Sequence, residues 1–151
     1  MKIDNINKKI LYLLQKDARK TYKEIANELK RSETTVRDRI KAMERVGIIQ
    51  GYTALIDKTA LGLNFFAIIF GNPTASSELD KLTDKIKSVK NVLRVYQISG
   101  DKRIAIFMVA QSYKDLKEII RVQLLPLGLK DEEIITVLEA DSEFISPLEI
   151  P

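Results

Sequence analysis

The chain of 151 residues contains no cysteine, no histidine and no tryptophan. Without cysteine there is no disulfide, no thiolate metal site and no cysteine nucleophile. Without histidine the commonest general base and the commonest metal ligand are missing. No apolar run approaches the roughly 20 residues of a membrane helix, and the first nine residues lack the apolar core of a secretory signal. We therefore expect a cytoplasmic protein that is not an enzyme, needs no cofactor or metal and binds no membrane.

The charge of the chain is unevenly distributed, although its net value of +4 is modest. Residues 1–50 carry 13 Lys and Arg against 7 Asp and Glu, a surplus of six positive charges. Residues 51–151 carry 12 against 14. A basic N-terminal third is typical of a nucleic-acid-binding surface, while a merely solvated basic surface has the same composition.

Residues 21–45 predict two short amphipathic helices joined by a tight turn. The apolar positions of each helix fall on one face: Ile25, Ala26 and Leu29 in the first, and Val36, Ile40 and Met43 in the second. Thr21 and Glu24 form a capping-box pattern, Ser32 is an N-cap for the second helix, and Gly47 ends that helix in the left-handed conformation. A helix, a turn and a helix with a basic outer face have the geometry that enters a DNA major groove.

A further helix is predicted before this pair, from about Asn5 to Lys16, with Asp4 as its N-cap. The segment from Ile48 to Asp57 is β-prone and predicts a wing or linker strand. The predicted domains are 1–50 for DNA binding, 51–62 as a strand linker, 63–140 as a second domain and 141–151 as a tail. In the tail, Phe144, Ile145, Leu148 and Ile150 indicate a docked end.

The second domain alternates strand and helix patterns. Strands are predicted at 63–70, 92–98, 103–110 and 133–138, with one helix capped by Ser77 and another beginning at Ser112 or Asp115. This β-α-β-β-α-β order is the ferredoxin-like pattern. The predicted fold class is therefore α+β, an N-terminal winged helix-turn-helix domain followed by a ferredoxin-like domain.

The predicted sheet has apolar residues on both of its faces, notably in FFAIIF at 65–70 and IAIFMVA at 104–110. A ferredoxin-like sheet carries helices on one face only, so the other face should be polar in an isolated chain. We expect the same sheet of a second subunit to cover it, giving a symmetric dimer. The alternative is that the N-terminal half folds back over this face.

The residues predicted to contact DNA follow from the helical rotation. With Val36 at the centre of the buried face, a rotation of 100° per residue puts the opposite face at Thr34, Asp38, Lys41 and Arg45. The residues predicted to reach base edges are Ser32, Glu33, Thr34, Thr35, Arg37 and Asp38. Those predicted to contact phosphates are Lys41, Arg45, Lys23, Lys30 and Arg31. Arg37 is the candidate for a bidentate contact to guanine. Arg39 lies near the buried border, where pairing with a carboxylate is the other option.

Two features weigh against this interpretation. Charged helix faces are most often simply solvated. In addition, Lys30 occupies the turn position where such motifs usually carry glycine, and a left-handed lysine there costs about 1 kcal/mol.

The chain resembles the Lrp/AsnC family, also called feast/famine regulatory proteins, over essentially its full length. In the first helix the matching residues are Asp4, Ile10, Leu11, Leu14, Gln15, Asp17, Ala18 and Arg19. Further along they are Ser32, Val36, Arg39, Ile40, Met43, Glu44, Gly47, Ile48 and Ile49, then Tyr52, Thr53, Ala54, Ile56, Asp57, Leu61 and Gly62, and finally Ser99, Gly100 and Asp101. The resemblance implies a transcriptional regulator with a winged helix-turn-helix, a strand linker and a ferredoxin-like effector and assembly domain. It also implies dimers that associate further, often to octamers, with amino acids bound between dimers.

The effector site that the resemblance implies lies at Ser99, Gly100, Asp101 and Arg103. Members that bind amino acids often carry a second aspartate where this chain has Arg103. Arginine can engage a ligand carboxylate, but the pattern for holding an α-ammonium group is incomplete. Ser99 to Asp101 fit an ordinary hairpin turn equally well.

Two functions of other classes compete with a DNA-binding regulator that acts on palindromic sites. An RNA-binding protein would use aromatic residues of the ferredoxin-like sheet, and Phe65, Phe66 and Phe107 are its only support. A small enzyme has no candidate catalyst, because the chain lacks histidine, cysteine and clustered carboxylates.

Overall fold

The computed structural model describes residues 2–74, 78–138, 147, 148 and 150. The chain divides into two compact units, residues 1–55 with 142–151 and residues 56–141. The division falls within the segment between the two predicted domains, whose exact limits stay a prediction. No helix of the described residues is long and apolar enough to cross a membrane.

The first unit contains three helices, α1 (Asn5–Lys16), α2 (Tyr22–Leu29) and α3 (Glu33–Arg45). Each begins at a side chain that accepts a backbone N–H of the first turn, because these N–H groups have no partner within the helix. As predicted, the capping side chains are Asp4, Thr21 and Ser32. The helices pack around one apolar cluster, whose buried members are Ile10, Ile25, Ala26, Val36, Ile40 and Met43.

The predicted strand from Ile48 to Asp57 is not formed, so the segment 51–62 assigned as a strand linker contains no strand in this structure. Its only regular piece is a 3-10 helix at Thr59–Leu61. A strand requires a hydrogen-bonded neighbour, and no described residue of this chain pairs with the segment. Tyr52 and Leu55 are accordingly 51% and 69% exposed.

The second unit is a four-stranded antiparallel sheet with helices. Its elements are β1 (Phe65–Pro73), α4 (Leu79–Ile86), β2 (Val92–Gln97), β3 (Ile104–Ala110), α5 (Tyr113–Ile119) and β4 (Leu129–Val137). The strand order is β2-β3-β1-β4, as the predicted β-α-β-β-α-β pattern requires. One face of the sheet and the helices enclose an apolar core, in which Ile69, Ile106, Met108 and Leu116 are fully buried.

Element limits differ from the prediction where tertiary pairing decides them. The first strand continues through Gly71 to Pro73, because a bulge between Phe70 and Asn72 keeps it paired with β4. The fourth strand begins at Leu129, earlier than the predicted 133. After α5 the chain makes a π-helical turn over Ile120–Leu124 and a 3-10 turn over Leu125–Leu127. The predicted cap Ser77 lies outside the described residues.

The second face of the sheet is apolar, as its sequence predicted. Phe66, Ile68 and Phe107 lie there half-buried, and Ile135 of the edge strand is 45% exposed. Phe107 stands between Phe66 and Tyr96, with ring centroids at 6.4 Å and 5.6 Å. This face therefore presents aromatic and aliphatic side chains on strands that also build the core.

The predicted docked tail falls mainly on residues outside the described ones, including Phe144 and Ile145. Of the described tail residues, Leu148 donates its backbone N–H to Gln15 Oε1 of α1 at 2.7 Å. Ile150 is half-buried.

Candidate nucleic-acid interface

A tight turn joins α2 to α3, and it is closed by backbone hydrogen bonds. Arg31 N–H donates to Ala26 O at 2.9 Å, and Lys30 N–H donates to Asn27 O at 3.3 Å. Lys30 has φ 51° and ψ 53°, so the left-handed lysine expected from the missing glycine is present. The turn fixes the direction in which α3 leaves α2.

The two faces of α3 differ sharply in composition. Val36, Ile40 and Met43 are buried in the cluster described above. The four residues that helical rotation placed opposite Val36 are all exposed, namely Thr34, Asp38, Lys41 and Arg45. The apolar face holds α3 on the unit, and the opposite face is available to a partner.

Most of the positive charge around α3 is not neutralised by other described residues. In residues 2–50, ion pairs with other described residues occur only at Lys20, which binds Glu28 at 2.5 Å, and at Arg39, which binds Asp4 at 2.7 Å. All six cations of the predicted DNA-contacting set form no ion pair with any described residue: Lys23, Lys30, Arg31, Arg37, Lys41 and Arg45. Five of these six are exposed, and Arg37 is half-buried. An anionic partner would therefore meet these charges without breaking ion pairs to the part of the chain that the structure describes.

The start of α3 combines capping with free polar groups. Ser32 Oγ accepts the N–H of Thr35 at 3.1 Å and lies 2.7 Å from the Thr35 hydroxyl. These two hydroxyls are thus committed to the cap, although one lone pair or proton remains for a partner. Arg37 Nη2 lies 3.5 Å from Thr34 Oγ1, at the limit of a hydrogen bond. Glu33 is exposed beside them.

Arg39 pairs with a carboxylate, the option that its position near the buried border left open. Its Nη1 donates to Asp4 Oδ2 at 2.7 Å and to Asn7 Oδ1 at 2.9 Å. Asn7 is only 2% exposed. This asparagine was not among the predicted residues; its one signal in the sequence is a polar residue on the buried side of α1, three positions before Ile10.

A second polar contact of α3 was also not predicted. The Tyr52 hydroxyl donates to Glu44 Oε1 at 2.9 Å. Partial burial, and then the Glu44 carboxylate, raise the pKa of Tyr52 to about 12. The end of α3 is thereby tied to the segment that follows it.

The predicted effector residues lie at the hairpin between β2 and β3. Ile98 N–H donates to Arg103 O at 2.9 Å, and Gly100 has φ +112°, so this is a closed hairpin turn. The backbone N–H of Arg103 donates to Asn72 Oδ1 and Gly71 O. The side chains of Ser99, Asp101 and Arg103 are exposed and form no hydrogen bond or ion pair with a described residue.

The three rings that supported RNA binding do not share one surface. Phe65 alternates onto the core side, where its ring centroid is 5.6 Å from that of Tyr113. Phe66 and Phe107 lie on the opposite face. A stacking platform needs its rings side by side on one face, so this geometry does not favour RNA binding. The described residues contain no group of three His, Cys, Asp or Glu able to hold a metal ion.

Residues 3–50 match a family model described as winged helix-turn-helix DNA-binding. Over 118 residues the chain is 42% identical to the HTH-type transcriptional regulator LrpA of Pyrococcus horikoshii, covering 78% of this chain and 83% of that protein. It is 32% identical over 125 residues to the HTH-type transcriptional regulator Ptr1 of Methanocaldococcus jannaschii, covering 83% and 84%.

Solved structures of similar fold cover nearly the whole chain. Escherichia coli AsnC superposes with a TM-score of 0.85 at 23% identity, over 98% of this chain and 100% of that one. The transcriptional regulator NMB0573 of Neisseria meningitidis, solved with L-Met, superposes with a TM-score of 0.87 at 21% identity, over 98% and 97%. With its winged helix-turn-helix sequence, its ferredoxin-like sheet and these relatives, the chain belongs to the Lrp/AsnC family of DNA-binding transcriptional regulators.

Proposed function

We propose that α3 is the recognition helix and that its exposed face enters the major groove of duplex DNA. The observation that carries the proposal is the set of six cations around α3 that form no ion pair with any described residue. DNA affinity depends largely on cations that meet phosphates, and cations already neutralised contribute little. The exposed polar start of α3 supplies the hydrogen-bonding groups that base edges require.

Within this interface each side chain has a distinct role. Arg37 reads a guanine through its two-pronged guanidinium group, while Ser32, Glu33, Thr34, Thr35 and Asp38 line the same groove. Lys41 and Arg45, further along α3, bind phosphates, as do Lys23, Lys30 and Arg31 around the turn. Base contacts select the sequence, and phosphate contacts hold the helix in register.

The protein acts as a dimer on palindromic sites. The apolar second face of the sheet, with Phe66, Ile68, Phe107 and Ile135, supports pairing with the same face of a second copy, because a monomer gains nothing by exposing it. Two symmetry-related copies of α3 then meet two half-sites. Further association of dimers to octamers, which family membership suggests, belongs to the same proposal.

An amino acid or related small molecule modulates this binding from the hairpin Ser99–Arg103. The NMB0573 structure, solved with L-Met, makes an amino acid the first ligand to test. In this chain the exposed Asp101 and Arg103 side chains carry opposite charges, which suits an α-ammonium and an α-carboxylate group. A regulator of this kind works where the DNA is, which agrees with the cytoplasmic location expected from the sequence; that this chain is not an enzyme also stays a prediction.

Footprinting on the upstream region of the protein's own gene tests these points together. We expect protected half-sites separated by about 10 base pairs or a multiple of that spacing. Repeating the experiment with each of the common amino acids tests the effector. A chain that protects no duplex sequence at moderate salt, or that prefers single-stranded RNA, would contradict the proposal.

A further inference from the structure

The side chain of Asp4 performs two tasks with its two oxygens. Its Oδ1 accepts the backbone N–H groups of Ile6 at 3.0 Å and Asn7 at 2.8 Å, which caps α1. Its Oδ2 accepts Arg39 Nη1 at 2.7 Å. The Asn7 N–H, followed by Arg39, lowers the pKa of Asp4, so the carboxyl group stays ionised at neutral pH and attracts the guanidinium.

Asn7 completes a three-residue contact. Its side chain is almost wholly buried, and its Oδ1 accepts the same Arg39 Nη1 at 2.9 Å. The two hydrogens of one guanidinium nitrogen are thus directed to two acceptors, one on the N-cap residue of α1 and one within α1. Removing the guanidinium would leave a buried amide oxygen without a partner, which is costly.

This contact differs from the apolar packing of α3. Val36, Ile40 and Met43 bury apolar surface, and this stabilisation has no preferred direction. Apolar packing by itself therefore permits small rotations and shifts of a helix. Hydrogen bonds to a charged group have strict distances and angles. Among the described residues, Arg39 makes the only side-chain hydrogen bonds between α3 and α1.

We propose that Asp4, Asn7 and Arg39 form a clamp that sets the position of α3 against α1, so that Arg39 is a positioning residue and not a DNA contact. Through the clamp, the half-buried Arg37 and the exposed Lys41, two residues to either side of Arg39, are held where a duplex can meet both at once. The inference rests on the proposed role of α3 in DNA binding. It assigns to the first helix a part in sequence selectivity.

The clamp and simple electrostatics predict opposite effects for one substitution. Serine caps a helix about as well as aspartate, so Asp4→Ser keeps the start of α1 and removes the carboxylate partner of Arg39, leaving Asn7 as its remaining acceptor. It also makes the unit more positive by one charge, which by itself tightens binding to any duplex. The clamp predicts weaker binding to the specific site instead.

The experiment uses the full chain and two duplexes of equal length: the sequence that the wild type protects in its own upstream region, and a shuffled version. Asp4→Ser, Arg39→Met and the double variant are compared at 25 °C. The control is Glu28→Gln, which removes one negative charge and breaks the Lys20–Glu28 pair without touching α3. We expect Asp4→Ser and Arg39→Met each to lose about tenfold in affinity for the protected site, and the double variant to be no worse than Arg39→Met alone.

The ratio of the affinities for the two duplexes distinguishes a displaced α3 from general destabilisation of the protein. Partial unfolding lowers affinity for both duplexes equally, whereas a displaced α3 lowers affinity only for the protected site. Glu28→Gln should keep the wild-type ratio. If Asp4→Ser melts below 25 °C, Arg39→Lys, which keeps the charge, should bind the site at least fivefold more tightly than Arg39→Met (an order-of-magnitude expectation).

The clamp would be overturned if Asp4→Ser kept the wild-type ratio of affinities for the protected and shuffled duplexes. Equal affinities of Arg39→Lys and Arg39→Met for the protected site would also overturn it. A wild type that binds neither duplex would instead contradict the role of α3 in DNA binding, so the two failures are distinguishable.

Discussion

The hydroxyl group of Tyr52 donates a hydrogen bond of 2.9 Å to Glu44 Oε1, near the last turn of α3. This bond joins a residue of the segment after the helix to the helix itself. It also explains why the pKa of Tyr52 rises to about 12, since partial burial and a neighbouring carboxylate both disfavour the phenolate.

The Tyr52–Glu44 bond should make stability depend on pH at the alkaline end. An unfolded tyrosine ionises near pH 10, whereas folded Tyr52 keeps its proton up to about pH 12. Its contribution to the free energy of unfolding is therefore fully present below pH 10 and is lost as the pH rises to 12. We expect the melting temperature of the wild type to fall more steeply over this window than that of Tyr52→Phe, as measured by circular dichroism.

The matched control for this titration is Tyr12→Phe. Tyr12 is exposed, and its ring lies under Lys16 Nζ at 4.9 Å, a contact that phenylalanine keeps. If the melting temperatures of the wild type and Tyr52→Phe fell equally steeply between pH 10 and pH 12, the Tyr52–Glu44 bond would not persist in solution.

The left-handed Lys30 should cost stability. Glycine adopts this conformation without the steric penalty of a Cβ atom, so Lys30→Gly should raise the free energy of unfolding by about 1 kcal/mol. Lys30→Ala loses the same positive charge but keeps the Cβ, and it should not gain stability. Urea unfolding of the two variants measures the difference, and equal stabilities would contradict the strained turn. Both variants should bind duplex DNA more weakly than the wild type, because both lose the cation that we propose contacts a phosphate.

The local parts of the first unit followed from sequence because their causes are local. Asp4, Thr21 and Ser32 cap their helices through bonds that span two or three residues, and such spacings are visible in a sequence. The partner of Arg39 lies 35 residues away, and no spacing rule indicates it. The contact that we assign to positioning could therefore be found only in the folded chain.

In the sheet, too, features with local causes could be predicted from the sequence, and features that depend on tertiary pairing could not. Its strand order followed from the alternation of patterns, but the start of β4 did not, because Lys130 and Asp131 look like a loop in sequence. Lys130 pairs with Asn72 in this edge strand, and Asp131 lies at the irregularity beside it; both charged side chains are exposed. In the opposite direction, the β-prone segment 48–57 forms no strand, since no described part of this chain offers it a partner.

The apolar second face of the sheet should mediate dimer formation. Ile135 is 45% exposed on that face, and Ile135→Lys would place a charge inside the paired sheets. We expect the wild type to sediment as a dimer or larger species and this variant to yield monomers at micromolar concentration. Val122→Lys is the control, because Val122 is 50% exposed on the helical side of the unit. A monomeric wild type, or an undisturbed Ile135→Lys assembly, would contradict this role of the face.

The salt dependence of duplex binding in Arg37→Ala and Lys41→Ala tests most directly whether α3 is the DNA-reading helix. Lys41→Ala should weaken binding to every sequence and lower the slope of log affinity against log salt by about one. Arg37→Ala should in addition relax discrimination at a single base position. Lys90→Ala, which removes an exposed charge from the second unit, should change neither quantity. Unchanged affinity and slope in both α3 variants would mean that the DNA-reading surface lies elsewhere on the chain.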